Sequence, residues 1–266
     1  MRKNELVILK FGGSVITDKE EPFTAKIDVI DRLAREASEY KGKMIIIHGG
    51  GSFGHPTAHK YKIKEGYKEN HQLAGLAETH LSMQKLNTII LQRLIKYGIP
   101  AVPVPPLSII LSENGTIKKI EYGIIEKMVS MGFVPVLHGD TVLDEEIGFT
   151  IVSGDQIAAH LSVKFNATYL IFILDVDGLY TNDPHKFPNA KLIKEIDVQT
   201  LKKTINAFKG RRGVDVTGGI AEKVKWIIYA AERGTQVILI NGNVAGRLGE
   251  VLRGGKTIGT YVYGKI

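Results

Sequence analysis

The sequence contains no cysteine among its 266 residues. This absence excludes disulfide frameworks, iron–sulfur clusters and metal sites built on thiolates, and it suits a reducing compartment. Long hydrophobic runs are lacking too, because the apolar stretches Leu6 to Leu9 and Tyr169 to Leu174 have only the length of strands. We therefore expect a cytoplasmic protein without a signal peptide, a membrane span or a membrane partner.

A nucleic-acid-binding motif is also lacking, although the formal net charge is +7 and the isoelectric point is near 9.3. The densest group of basic residues comprises Lys202, Lys203, Lys209, Arg211 and Arg212. We interpret this group as a solvated loop, with a rim that attracts anionic substrates as the alternative. No nucleic-acid partner is expected.

Short Val- and Ile-rich runs alternate with longer amphipathic stretches along the chain, which is typical of a parallel sheet covered by helices on both faces. The alternation predicts an α/β fold: a three-layer sandwich with a mostly parallel central sheet and two lobes in a single domain, 1–266. The predicted strands are Leu6–Phe11, Lys43–His48, Ala101–Pro103, Val134–His138, Tyr169–Leu174, Gln236–Ile240 and Thr257–Val262. The predicted helices are Ile27–Tyr40, Gln72–Tyr97, Glu121–Met131, Asp155–Phe165, Val198–Asn206 and Ile220–Arg233. Hairpins are predicted at Asn114-Gly115 and around Asp144–Gly148.

Four glycine-rich segments stand out. Three directly follow predicted strands, and the fourth opens a predicted helix: Lys10-Phe-Gly-Gly-Ser14, His48-Gly-Gly-Gly-Ser-Phe-Gly-His55, Asp175-Val-Asp-Gly178 and Asp215-Val-Thr-Gly-Gly-Ile220. Glycine lets backbone amides approach phosphate oxygens that a Cβ would hold off, and a helix N-terminus favours an anion. Each glycine alone is equally compatible with a tight turn. Four such segments together predict sites for a nucleotide and a second phosphate.

Other nucleotide-binding patterns fit less well. The second glycine segment has the G-x-G-x-x-G spacing of dinucleotide sites, but Glu69, about 20 positions on, follows no predicted strand. A Walker A loop is excluded, because Gly249 to Lys256 has one residue too many before the Gly-Lys-Thr and no long helix follows. The H-R-D and D-F-G motifs of protein kinases are absent.

The glycine segments resemble those of a known family. Lys10-Phe-Gly-Gly-Ser14, His48-Gly-Gly-Gly51, Ser153-Gly-Asp155 and Asp215-Val-Thr-Gly-Gly219 with Lys223 are similar in order and spacing to the motifs of amino-acid kinases, over nearly the whole chain. Gly54-His55 and Lys19 are similar to isopentenyl phosphate kinases within that superfamily. Asp175 to Pro184 resembles the nucleotide loop more generally, with Leu179 where valine is commoner.

This resemblance implies an amino-acid-kinase-like fold, with an acceptor-phosphate lobe at about residues 1–166 and a nucleotide lobe at about residues 167–266. It implies ATP-dependent phosphorylation of isopentenyl phosphate to isopentenyl diphosphate, a step of isoprenoid biosynthesis in the alternative mevalonate route. It also implies a homodimer. Magnesium is expected to enter on the phosphates of ATP, so no protein metal ligands are expected.

The resemblance also assigns site residues. Lys10 would contact the transferring phosphoryl group, and Lys19 would contact that phosphoryl group late in the reaction. Lys223 would contact the nucleotide phosphates, while Asp155 would hold Lys10 and Lys223 in position. The expected acceptor-binding residues are Gly50, Gly54, His55 and Gly154. The expected ATP-binding residues are Lys10, Gly12, Gly13, Ser14, Gly51, Asp175, Gly178, Tyr180, Asp183, Gly219 and Lys223.

The chemistry of the acceptor suggests a role for His55. A phosphate monoester with a second pKa of about 6 is already largely dianionic at neutral pH, so no general base is required. We therefore assign His55 as a hydrogen-bond donor to the acceptor phosphate, whose charge favours the protonated ring; capping of the following helix is the alternative. His59 shares a helix face with His55, but the pair lacks an acidic third metal ligand.

The other histidines have weaker signals. His138-Gly139-Asp140 ends a predicted strand, as a wall of the acceptor site or as part of its chemistry. His71, His80, His160 and His185 have no constellation around them, which predicts surface or packing roles. Two alternative functions stay open: another small-molecule kinase of this fold, acting on a nucleoside monophosphate, an acylated amino acid, a carbamate or fosfomycin, or a non-catalytic nucleotide sensor.

Overall fold

Two β-sheets and flanking helices make up the computed structural model, which describes residues 5–184, 186–209 and 220–264. The strands in these residues are β1 (Leu6–Phe11), β2 (Lys43–His48), β3 (Ala101–Pro103), β4 (Ile110–Glu113), β5 (Thr116–Ile120), β6 (Val134–His138), β7 (Asp140–Asp144), β8 (Gly148–Val152), β9 (Tyr169–Leu174), β10 (Glu195–Asp197), β11 (Gln236–Asn241) and β12 (Gly259–Tyr263). The α-helices are α1 (Gly13–Ile16), α2 (Ile27–Ser38), α3 (Gly51–Lys60), α4 (His71–Lys96), α5 (Tyr122–Ser130), α6 (Gly154–Lys164), α7 (Val198–Lys209), α8 (Ile220–Ala231) and α9 (Arg247–Leu252).

The larger sheet has the strand order β10-β12-β11-β9-β1-β2-β6-β3. The six strands from β11 to β3 run parallel, whereas β12 is antiparallel to β11 and β10 is parallel to β12. The carboxyl ends of the six parallel strands therefore meet at one edge of the sheet. Ligands of open α/β sheets bind outside this edge.

Burial on both faces explains the central strands. β1, β2 and β9 read as nearly continuous apolar runs, as parallel strands covered by helices on both sides do. One core contains Ile8 and Phe172 together with residues of α6 and α8, and the other contains Leu9 and Ile171 together with residues of α2 and α4. Two cores on opposite faces of one sheet give the predicted three layers, and the predicted α/β fold class is confirmed.

The smaller sheet has the order β5-β4-β7-β8 and contains both predicted hairpins. Asn114 and Gly115, with φ of 48° and 77°, form the turn between β4 and β5. The Asp144 carboxylate links the two hairpins, because it accepts hydrogen bonds from Ser112 Oγ at 2.7 Å and from the Gly115 and Ile147 amides at 2.9 and 3.1 Å.

The predicted elements agree with the structure except at some ends, at three helices and at one short strand. The last strand begins at Gly259 rather than Thr257, and α2 ends at Ser38 rather than Tyr40. The helices α1, α3 and α9 and the strand β10 were not predicted from periodicity. The position after Thr257 leads into β12 rather than a helix, in agreement with the exclusion of a Walker A loop. In the described part of the chain, no helix has the length and apolar character needed to cross a membrane.

Candidate active site

A buried cluster of two lysines and one aspartate lies at the carboxyl edge of the larger sheet. Lys10 belongs to β1, Asp155 to the first turn of α6 and Lys223 to the beginning of α8. Lys10 Nζ lies 2.7 Å from Asp155 Oδ1 as an ion pair, and Lys223 Nζ donates a 2.6 Å hydrogen bond to Asp155 Oδ2. Lys223 Nζ also lies 5.3 Å from the centre of the Phe172 ring. The structure thus brings into contact three predicted site residues that are far apart in the sequence.

Burial and mutual charge shift the pKa values of this cluster. Burial lowers the pKa of Lys10 to about 8, with Asp155 opposing the shift and Lys223 adding to it. Burial acts to raise the pKa of Asp155, but the two ammonium groups outweigh it and hold that pKa well below its ordinary value. Two cations against one anion leave an excess positive charge in a buried place. Such a place stabilises a polyanion far better than an exposed lysine would.

Glycines let the loops after β1 and β2 pack directly on each other. A Cβ at Gly13 would collide with the backbone of Gly51, and a Cβ at Gly49 would lie 2.7 Å from Gly13 N and 3.6 Å from Lys10 Nζ. Gly51 has a φ of 47°, in the region that favours glycine. The starts of α1 and α3 therefore meet beside Lys10. Gly12 lies at the same place, but its amide donates to Ile173 O at 2.8 Å.

A second, more exposed ion pair lies next to this loop. Lys19 Nζ donates a 2.7 Å hydrogen bond to Asp175 Oδ2, and the Ser14 hydroxyl also donates to Asp175. Burial opposes ionisation of Asp175, but the Lys19 hydrogen bond and charge lower its pKa. Lys19 and Asp175 are 64% and 28% exposed, so this pair is open to solvent. Three more of the predicted residues are thus in mutual contact.

The predicted nucleotide loop after β9 is held by residues that the sequence did not single out. Asp177 Oδ1 accepts hydrogen bonds from Asn241 Nδ2 at 3.0 Å and from Arg247 at 2.5 Å, and it also interacts with Tyr180. Asn241 is the last residue of β11 and precedes Gly242, so its position at the end of a strand was the signal in the sequence that could have identified it.

Two further predicted nucleotide-binding residues belong to this loop. A Cβ at Gly178 would collide with Thr260, so close packing alone explains why this position is a glycine. The Asp183 carbonyl accepts hydrogen bonds from the Lys186 and Phe187 amides. Gly219, with the rest of Asp215–Gly219, lies outside the described residues, as do Arg211, Arg212 and His185.

The predicted acceptor glycines lie on two sides of the same edge. Gly50 and Gly54 lie against α4, where a Cβ on either would come within 3.1 or 2.9 Å of Met83 Sδ. Gly154 opens α6, and a Cβ there would lie 3.0 Å from His48 O. Ser153 caps this helix, since its side chain accepts a hydrogen bond from the Gln156 amide at 3.2 Å. These glycines allow a close approach of backbone to backbone around the strand ends.

His55 lies in the first half of α3 and is exposed to solvent. Its pKa is lowered, first by partial desolvation and then by the charges of Lys10 and Lys64. A bound phosphate dianion would act in the opposite direction. His55 therefore lies close enough to Lys10 for the two charges to interact. A residue that binds the acceptor phosphate next to the transferring phosphoryl group is expected to lie at such a distance. His59, also on α3, is exposed; among the residues described, no three metal-binding side chains converge.

The prediction that His80 has no constellation was wrong. His80 Nδ1 donates a 2.7 Å hydrogen bond to Asp140 Oδ2, and its ring centre lies 6.5 Å from that of His138. His138 in turn lies 5.2 Å from the His48 ring, its partner in the β2–β6 register. Burial lowers the pKa of both His48 and His138 to about 4. His138 and Asp140 were noted in the sequence as the end of a predicted strand, but no local pattern linked them to His48 or His80, because these residues come from separate strands and from α4.

The remaining described histidines have surface or packing positions, as predicted. His71 is exposed at the start of α4, with Nδ1 3.2 Å from Glu69 Oε2. His160 stacks on Tyr229 with ring centres 4.9 Å apart and contacts Trp226, between α6 and α8.

Comparisons with known proteins agree with this geometry. The amino acid kinase family profile matches residues 5–241. The isopentenyl phosphate kinase of Methanothermobacter thermautotrophicus is 36% identical over 98% of this chain and all of that protein. The enzyme of the same name from Methanocaldococcus jannaschii is 36% identical over 94% of this chain and 95% of that protein.

A solved structure described as an isopentenyl phosphate kinase superposes with a TM-score of 0.84 at 33% identity, covering 97% of this chain and 99% of that one. The sequence matches cover nearly the whole of both chains, the solved structure shares the fold, and the resemblance drawn from the glycine segments is confirmed. The chain therefore belongs to the amino acid kinase family and is a homologue of its isopentenyl phosphate kinases.

Proposed function

We propose that this protein transfers the γ-phosphoryl group of ATP to isopentenyl phosphate, which yields isopentenyl diphosphate and ADP. The observation that carries the proposal is the buried Lys10–Asp155–Lys223 cluster at the meeting point of the glycine loops. It supplies fixed positive charge where two phosphorylated molecules would meet end to end. The named activity of relatives that match nearly the whole chain supports the choice of acceptor.

The reaction requires alignment and charge neutralisation more than covalent chemistry. An oxygen of the acceptor phosphate attacks the γ-phosphorus, and the bond from that phosphorus to the bridging oxygen of ADP breaks. Lys10 stabilises the transferring group and Lys223 the nucleotide phosphates, while Asp155 fixes the positions of both ammonium groups. Because the acceptor is already a dianion, no side chain has to remove a proton.

Lys19 and Asp175 have a different part in this proposal. Their pair is exposed, and an exposed ion pair is weak enough to be exchanged for a phosphate oxygen. Lys19 would leave Asp175 and follow the γ-phosphoryl group as it reaches the acceptor. His55 would bind the acceptor phosphate beside Gly50, Gly54 and Gly154.

Magnesium fits this site as a companion of the nucleotide. Both Asp155 and Asp175 accept hydrogen bonds from lysines, and phosphate oxygens are preferred ligands of Mg²⁺. When bound, the ion neutralises charge on the β- and γ-phosphates. We also propose, from the family resemblance, that residues up to about 166 form the acceptor lobe, that the protein is a homodimer and that it works in the cytoplasm.

The test of the proposed function is an acceptor panel. Purified protein with Mg·ATP is expected to phosphorylate isopentenyl phosphate with a far higher kcat/KM than UMP, acetylglutamate, carbamate or fosfomycin. ADP release, coupled to NADH oxidation, measures all acceptors in the same way. A higher kcat/KM for any of the other acceptors contradicts the proposal, and ATP binding without any transfer indicates a nucleotide sensor instead.

The assignment of His55 has its own test. His55→Ala is expected to lower kcat/KM for isopentenyl phosphate roughly 10- to 100-fold, because one charge-assisted hydrogen bond to the acceptor is lost. The dissociation constant of ATP, measured by calorimetry, should stay nearly unchanged. His59→Ala, on the same helix, is the matched control and should resemble the wild type. An equal loss of ATP affinity would place His55 outside the acceptor site.

A further inference from the structure

A histidine and an aspartate that the proposed mechanism does not use form a pair beside the acceptor loops. His80 on α4 donates from Nδ1 to Asp140 Oδ2 at 2.7 Å. The side chain of Asp140 is fully buried, and its Oδ1 accepts a 2.9 Å hydrogen bond from the Thr141 amide. The carboxylate therefore fixes the His80 ring in one orientation, with Nδ1 protonated.

The second ring nitrogen of His80 is available to a ligand. The His80 side chain is 24% exposed, whereas its partner Asp140 is 0% exposed. Because the Nδ1 edge faces a buried group, the accessible part of the ring is on the side that carries Nε2. The contact recorded for Nε2 is with Gln84 Nε2 at 3.4 Å, which is longer than an ordinary hydrogen bond. The Gln84 amide nitrogen can only donate, so Nε2 is the acceptor in this contact while the ring is neutral. In the protonated ring, Nε2–H finds no acceptor at Gln84 and can donate to a phosphate oxygen instead.

The pair lies between the two glycine surfaces of the proposed acceptor site. Met83, one helical turn after His80, lies against Gly50 and Gly54, since a Cβ on either would come within 3.1 or 2.9 Å of Met83 Sδ. On the other side, Gly139 directly precedes Asp140, and a Cβ on Gly139 would lie 3.0 Å from Gly154 N. His80 is therefore one helical turn from the residue that packs on α3, and Asp140 is one residue from the glycine that packs on the start of α6.

The charge of His80 suits an anionic ligand. The hydrogen bond to Asp140 raises the pKa of His80, with burial opposing the rise, whereas burial and then Lys10 and Lys64 lower the pKa of His55. At neutral pH His80 is therefore the more readily protonated of the two rings before substrate arrives. Its neighbour His138 stays neutral.

We propose that His80, oriented by Asp140, is a second acceptor-binding residue that donates a hydrogen bond from Nε2 to the phosphate monoester acceptor. The two imidazoles, His55 from α3 and His80 from α4, would hold the acceptor phosphate from two sides while Lys10 faces the incoming phosphoryl group. This inference rests on the proposed function.

Steady-state kinetics with isopentenyl phosphate and Mg·ATP test the proposal through His80→Asn. Asparagine keeps an amide donor near the position of Nδ1, so Asp140 keeps a partner, but it removes Nε2 and the charge. We expect KM for isopentenyl phosphate to rise roughly 10- to 100-fold, the effect of one charge-assisted hydrogen bond. KM for ATP should change by less than about twofold. His71→Ala, on the same helix and exposed, is the control and should leave both constants unchanged.

Three outcomes would overturn the proposal: a wild-type KM for the acceptor in His80→Asn, an equal rise in both KM values, or a loss of activity in His80→Ala that His80→Asn does not share. The last outcome would indicate that the histidine only anchors α4. If the wild type does not phosphorylate isopentenyl phosphate, the proposed function fails instead. Calorimetric binding of inorganic phosphate then decides on His80, since weaker binding by His80→Asn supports its role and equal binding rejects it.

Discussion

A cluster of two lysines with one aspartate and a separate lysine–aspartate pair lie at the same edge of the sheet, and they differ in burial. In the first, Lys10 and Lys223 surround Asp155, and the exposed fractions of the side chains are 7%, 15% and 13%. In the second, Lys19 is 64% exposed and Asp175 is 28% exposed. A buried ion cluster is rigid and costly to break, whereas an exposed pair contributes little and exchanges partners easily. In the proposed mechanism, the buried cluster is the fixed part and the exposed pair the movable part of one phosphate-binding site.

The largest expected effect is that of Asp155→Asn. This change leaves two buried ammonium groups without a counter-charge, so we expect the free energy of unfolding to fall by about 3–5 kcal/mol together with a severe loss of kcat. Urea denaturation and initial rates measure the two effects. Asp175→Asn is the matched control and should lower the free energy of unfolding by less than about 1 kcal/mol. Equal losses of stability in the two variants would remove the distinction between the pairs.

Lys223→Met should separate catalysis from stability. The loss of one donor to the nucleotide phosphates is expected to lower kcat/KM by a factor of roughly 10² to 10³, equal to about 2.7–4 kcal/mol of transition-state stabilisation. Stability should change little, because Asp155 keeps Lys10 as a partner. Lys225→Met, two residues later on the exposed side of α8, is the control. A variant that keeps its activity would move Lys223 away from the reacting phosphates.

The lowered pKa of Lys10 predicts the pH dependence of the free enzyme. In the proposed mechanism the ammonium form of Lys10 is the active one, and it loses its proton as the pH rises through its pKa of about 8. The kcat/KM for ATP should therefore decrease above about pH 8, approaching a tenfold loss for each further pH unit. A profile of initial rates from pH 6 to about 10, checked for enzyme stability at each pH, measures it. A flat profile throughout that range would show that Lys10 keeps its proton.

The smallest expected effect on stability is that of Lys19→Met. An exposed pair contributes about 0–1 kcal/mol, so the free energy of unfolding should change by no more than this amount, and the difference should shrink in high salt. The value of kcat should nevertheless fall, because Lys19 would act on the phosphoryl group in transit. Chemical denaturation at two salt concentrations and single-turnover rates measure both. Full single-turnover activity would restrict Lys19 to pairing with Asp175.

The sequence predicted those parts of the fold whose signal is local. β1, β2 and β9 were predicted with their observed bounds because strands buried on both faces are apolar throughout. Helix α3 was not, because its residues include three glycines or prolines, Gly51, Gly54 and Pro56, which have low helix propensity. Its formation depends on packing against α4, where Met83 covers the helix glycines.

Only some residues and contacts of the candidate active site could be predicted from the sequence. Lys10, Asp155 and Lys223 were predicted to act together from a family resemblance, and the structure shows them in contact. The hydrogen bonds of Asp140 with His80 and of Arg247 with Asp177 could not be predicted from the neighbouring residues in the sequence. Their partners are 60 and 70 residues away in the chain, and polar residues at such separations are indistinguishable from solvated ones by composition.

By itself, the sequence determined the alternation of strands and helices and the places where glycine segments follow strands, because both are properties of neighbouring residues. The tertiary structure decided which charges are buried and which partner each receives. Lys223 and Asp155 are 68 residues apart, and only the parallel order of β1, β9 and β11 brings the starts of α6 and α8 to the end of the strand that carries Lys10. The pKa values of these groups follow from that assembly, since desolvation and Coulomb interactions exist only once the chain is folded.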